Sequence, residues 1–158
     1  MAHDPHVLAP GTAPTPFTAE EIRAGCPTGR AIRVRVVAAG QTSYDRVSRF
    51  LDCDESGATL ERSQLSVEGD LLGEPETGRV SWRDLQAHAS FPVADTTIER
   101  ERISTAIGEK DCLRYTVREG ATVDVFWFAT DLPGMPIRIQ SRAGGQVVAT
   151  VSVVSNRV

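Results

Sequence analysis

A chain of 158 residues, 41% of them hydrophobic and 24% charged, is long enough to bury one core and lies far from the composition of disordered chains. Its net charge of −4 argues against a nucleic-acid binder, which needs a basic excess on its binding face. Nowhere does the sequence hold the run of about 18 apolar residues that a membrane-spanning helix requires.

The segment from Met1 to Pro16 is rich in Pro, Ala and Thr and lacks the basic and apolar regions of a secretory signal. It reads as a flexible tail over 1–16, ahead of a single β-rich domain over 17–158, and the expected location is the cytoplasm. Of 17 basic residues only Lys110 is a lysine, a bias that codon usage in a GC-rich bacterial genome, such as an actinobacterium's, produces. Cys26, Cys53 and Cys112 are an odd set with no CxxC spacing, which supports neither a disulfide framework nor a zinc site.

Thr18 followed by Glu21 is a capping box, Phe17 and Ile22 form a staple across it, and Gly25 sits where a short helix would end. From Arg30 the period changes to two. Ile32, Val34 and Val36 point one way and Arg33 and Arg35 the other, so this is a strand with one buried and one wet face. Turns at 39–43 and 54–57 separate it from strands over 44–53 and 58–67, and 77–80 is a marginal short strand, left out of the count. Next, Ser81 caps a helix with Trp82, Leu85 and Ala89 on one face, ended before Pro92.

Residues 96–105 alternate poorly and carry charge on both faces, which suits an edge strand. Strands over 112–118, 121–130, 136–142 and 146–155 complete the chain, joined by turns at Glu119-Gly120, Asp131–Gly134 and Gly144-Gly145. The expected fold is mainly β: about eight antiparallel strands in a curved sheet or half-barrel, with one leading and one inserted helix.

Over residues 80–155 the pattern resembles the lipoprotein-carrier half-barrel group (LolA-like and LppX-like proteins). The residues that carry it are the helix from Ser81 and the strands Cys112-Leu-Arg-Tyr-Thr-Val, Val125-Phe-Trp-Phe-Ala and Leu132-Pro-Gly-Met-Pro-Ile-Arg-Ile. The resemblance implies a curved antiparallel sheet whose concave apolar face is closed by a helix and can hold acyl chains.

Catalytic and metal signatures are weak. Asp84 and His88 lie four apart on the second helix but have no nucleophile nearby, so they read as a surface pair. His3 and His6 sit in the tail without the support a metal site needs, and Cys26 has no partner that would make it a nucleophile. No cofactor motif is present; Gly144-Gly145 is a hairpin turn, not a phosphate cradle. Arg33, Arg35, Arg114, Arg118, Arg138 and Arg142 read as a salt-bridged face with Glu99, Glu101 and Asp124 as partners. The candidate ligand-binding residues are Tyr115, Val125, Trp127 and Ile139, taken as one apolar face, with Trp82 opposite on the helix. The expected function is a non-enzymatic module holding a small apolar or amphipathic ligand. The alternatives are assembly with a protein partner or a second copy through the 96–105 edge, and a cofactor-independent cyclase or isomerase.

Overall fold

A computed structural model describes residues 3–158. The elements run α1 (Ala19–Gly25), β1 (Ala31–Ala38), β2 (Tyr44–Leu51), β3 (Gly57–Ser66), β4 (Glu76–Ser81) and α2 (Trp82–Ala87). One 3-10 turn, Val93–Asp95, leads into β5 (Thr96–Thr105), β6 (Gly108–Glu119), β7 (Thr122–Ala129), β8 (Arg138–Ala143) and β9 (Gln146–Arg157). The described residues form nine strands where the sequence pattern suggests about eight, because the marginal 77–80 strand is a full one, Glu76–Ser81, paired with β3 along its whole length.

All nine strands form one antiparallel sheet in the order β4-β3-β2-β1-β9-β8-β7-β6-β5. Every neighbour is joined by a hairpin except β1 and β9, whose long ladder from Ala31 opposite Arg157 to Ala38 opposite Ala149 unites two meanders. The register slips between Arg33 and Val34 and again between Ser141 and Arg142. Such bulges increase local twist, and the sheet curves without closing. β4 and β5 are its two edges, so the strand over 96–105 takes the edge position its charge pattern suits.

Both helices lie on one face of the sheet. Phe17, Ile22, Trp82 and Ala89 pack there against Phe50, Leu60, Tyr115 and Phe128. The segment read as a tail is docked on the same face, held at points from Pro5 to Thr15, with Ala13 and Thr15 buried. Prolines keep this stretch extended and leave its carbonyls free to accept. The Ala13 N–H donates to the Phe91 carbonyl (2.8 Å), and Tyr115 donates its hydroxyl to the Pro14 carbonyl (2.6 Å). Buried Gln86 donates to the Pro5 carbonyl and the Thr15 hydroxyl while accepting from the Ala19 N–H, so its amide ties tail, α1 and α2 together.

The other face carries Arg33, Arg35 and Arg114. Arg33 and Arg35 both donate to Asp45, which neighbours Arg35 across the β1–β2 ladder, and Arg114 of β6 pairs with Glu99 and Glu101 of β5. A second core cluster joins Ile32, Val34 and Val153 of the central strands with Ile103, Cys112, Val125 and Trp127.

Candidate functional site

The helix-bearing face is wide and α2 is only six residues long. It is held firmly nonetheless. Ser81 caps it by accepting from the Asp84 N–H (3.0 Å). Trp82 stacks on Phe50 (ring centroids 6.4 Å apart, planes 16° apart) and donates its indole N–H to the Asp54 carbonyl (2.8 Å). Gln86 fixes the far end through the bonds to the tail. A short helix pinned over a broad curved sheet leaves space beside it.

That space is a cavity of about 280 Å³. One wall is Phe50 of β2 and Leu60 of β3; the other is Phe126 and Phe128 of β7 and Ile139 of β8. Leu85, Ala89 and Phe91 roof it, and the 134–136 loop closes one side with Met135 and Pro136. The aromatic wall is continuous: Phe91 stacks on Phe126 (5.0 Å) and Phe126 on Phe128 (6.3 Å), while Tyr115 meets Phe128 edge-on (5.3 Å). Polar groups are few: the Ser48 hydroxyl, and Arg62 and His88, both exposed on the outer side. Among the described residues no carboxylate, thiol or phenol lines it.

Behind Phe50 and Gly134 lies Arg30, 2% exposed, with its guanidinium 6.0 Å from the Phe50 ring centre. Its acceptors are all uncharged in form: the Asn156 amide oxygen (2.9 Å), the Gly25 and Pro133 carbonyls (3.1 and 2.7 Å) and the Cys26 sulfur (3.0 Å). Nη2 has no partner. These bonds fix the loop that carries Pro133 and Gly134, and so one rim of the cavity. Burial pushes the Cys26 thiol above its ordinary value, with Arg30 opposing; its sulfur accepts from Arg30, and its S–H donates to the Pro133 carbonyl (3.5 Å).

The five residues singled out from the sequence divide between two faces. Ile139 lines the cavity, and Tyr115 and Trp82 stand directly behind it, against Phe91 and Phe50. Val125 and Trp127 lie on the opposite face. The single apolar face drawn through Tyr115, Val125, Trp127 and Ile139 is therefore corrected by the register. Tyr115 pairs with Phe126, and Phe126 with Ile139, so Phe126 and Phe128 share their side. Trp127 instead donates its indole N–H to Glu101 (3.2 Å) beneath the Arg138 guanidinium, 5.7 Å from the ring centre.

Pattern reasoning missed Phe50, Phe91, Phe126 and Phe128. β7 is apolar in both phases, and choosing Val123-Val125-Trp127 put Asp124 with the discarded set. The overlooked signal was the indole N–H of Trp127, which needs an acceptor and finds it in Glu101 on the charged face. Of the other candidates, His88 stands at the cavity mouth, Asp84 does not line the cavity, and His6 meets the Thr15 carbonyl (2.7 Å) and Glu21 (3.5 Å). Among the described residues no group of three or more His, Cys, Asp or Glu is placed to hold a metal, and no helix is long and apolar enough to cross a membrane. No family model matches this chain, and no curated protein matches it in sequence.

Proposed function

We propose that the protein binds a small apolar or amphipathic molecule in the cavity beside α2 and releases it unchanged. The observation that carries this is the preformed, aromatic-walled space of about 280 Å³, held open by a helix pinned at both ends. Empty apolar space of that size is costly to maintain unless it is used, since a cavity forfeits the contacts its lining would otherwise make. Scaled from the rule that about 150 Å³ admits a benzene ring, it suits on the order of ten non-hydrogen atoms. The absence of any carboxylate, thiol or phenol from the lining favours binding over acid–base or nucleophilic chemistry. The resemblance of residues 80–155 to half-barrel carriers points the same way.

Native mass spectrometry of freshly purified protein, with titration by an apolar fluorescent dye, tests the proposal. A bound mass or saturable one-to-one dye binding is expected, lost on introducing a bulky side chain at Ala89. No bound mass and no saturable binding would end it. Assembly through β5 has one observation in its favour, a ten-residue edge strand. The alternating Glu99-Arg100-Glu101-Arg102 run guards that edge against indiscriminate pairing. Light scattering tests it, since a strict monomer at high concentration contradicts self-pairing.

A further inference from the structure

We infer that the occupant of this cavity is an anion: a small monocarboxylate whose apolar body fills the aromatic space and whose carboxylate is held at the mouth by Arg62. The inference rests on the binding role proposed above and adds the chemical class of the ligand.

Charge is its first support. The whole chain carries 21 acidic against 17 basic residues, yet the cavity lining contains Arg62 and no acidic side chain. Arg62 is also free to act. Unlike Arg33, Arg35, Arg49, Arg79, Arg102 and Arg114, it forms no ion pair among the described residues, and of the unpaired arginines it is the one that lines the cavity. Glu76 sits directly opposite it across the β3–β4 ladder without pairing to it. A guanidinium offers parallel donors in a fork that matches a carboxylate, and here that fork stands at the edge of an apolar hollow. His88, on the same rim, adds an imidazole.

The second support lies inside the wall. Arg30 is 2% exposed, yet among the described residues no carboxylate pairs with it and its Nη2 lacks any partner. It lies behind two lining residues: its guanidinium is over the Phe50 ring, and a Cβ built on Gly134 would stand 3.3 Å from its Nη1. A buried charge is screened far less than a surface one, so its field reaches into the cavity. An anionic occupant gains from that field, and a cationic one is repelled. Together a positive mouth, a positive back wall and an aromatic interior specify a carboxylate with an apolar body.

Three probes of one length separate charge from apolar fit: octanoate, octan-1-ol and octylamine, titrated calorimetrically into the full chain. Octanoate is expected to bind at least about tenfold more tightly than octan-1-ol, with octylamine weakest. Arg62→Gln should weaken octanoate about tenfold and octan-1-ol far less, and Arg62→Lys should fall between. Added salt should weaken octanoate alone. Arg62 is exposed, so both variants should keep the wild-type melting temperature, which is checked in parallel. If octan-1-ol binds as tightly as octanoate, or Arg62→Gln binds octanoate like wild type, the anion assignment is overturned while the cavity stands as a ligand site. If none of the three binds, the binding role falls with it.

Discussion

Replacing Ala89 with leucine places three more carbons in the cavity roof, at a position 9% exposed and already lining the space. At about 0.8 kcal/mol for each fully buried methylene, complete burial would contribute about 2.4 kcal/mol. The cavity has a mouth and the new side chain loses rotamer freedom, so about 1 kcal/mol is the realistic gain. For a domain of this size that raises the melting temperature by about 2–4 °C. The same carbons occupy space the ligand needs, so octan-1-ol binding should weaken at least about tenfold. Differential scanning calorimetry and titration of the ligand-stripped protein read both effects. A lower melting temperature with undiminished binding would refute the reasoning: it would mean the space is already filled by packing and the ligand sits elsewhere.

Other perturbations test the supports of the site. Asp45 has no exposure of its own because Arg33 and Arg35 cover it, and their side chains remain 27% and 41% exposed. The cost of Asp45→Asn should therefore be about 1–2 kcal/mol in chemical denaturation at pH 7, below that of a deeply buried pair. Hydrogen bonds from Arg35 and Arg33 and the charges of both, opposed by desolvation, hold the Asp45 carboxyl below the usual range. A lowered folded value means stability that is complete above the unfolded value, near pH 4, and lost as pH falls further. Acid unfolding of Asp45→Asn should accordingly be shallower than that of wild type below about pH 4. Gly57→Ala puts a Cβ 1.9 Å from the Val80 carbonyl oxygen, so β4 must move and carry the Ser81 cap of α2 with it. A loss of at least about 2 kcal/mol by thermal melting, together with loss of octan-1-ol binding, is expected. Tyr115→Phe removes the bond to Pro14, which should cost about 1 kcal/mol and speed amide exchange at Ala13 and Thr15 without unfolding the sheet.

Local rules made much of the fold legible. The Thr18–Glu21 capping box forms as the pattern requires, with reciprocal bonds of 3.0 and 3.1 Å. Arg33 and Arg35 alternate with Ile32 and Val34, and the structure puts the arginines on Asp45 and the aliphatics in the core. What escaped were features set by pairs of distant residues. The strand Val-Asp-Val-Phe-Trp-Phe-Ala offers two apolar phases, and only its register against Tyr115 decides between them. The N-terminal stretch looks free by composition. Its docking depends on Gln86 and Tyr115, whose need for acceptors becomes visible only once they are buried. The cavity has no motif at all, since it is the shortfall between a six-residue helix and the sheet it covers.

Methyl-resolved NMR during an octan-1-ol titration tests the ligand cavity most directly, because methyls of Leu60, Leu85, Met135 and Ile139 line it while Val125 lies on the opposite face. Saturable shifts confined to the first four are predicted. No saturable shift, or shifts centred on Val125 and the Trp127 ring, would contradict the assignment of the site to the α2 face.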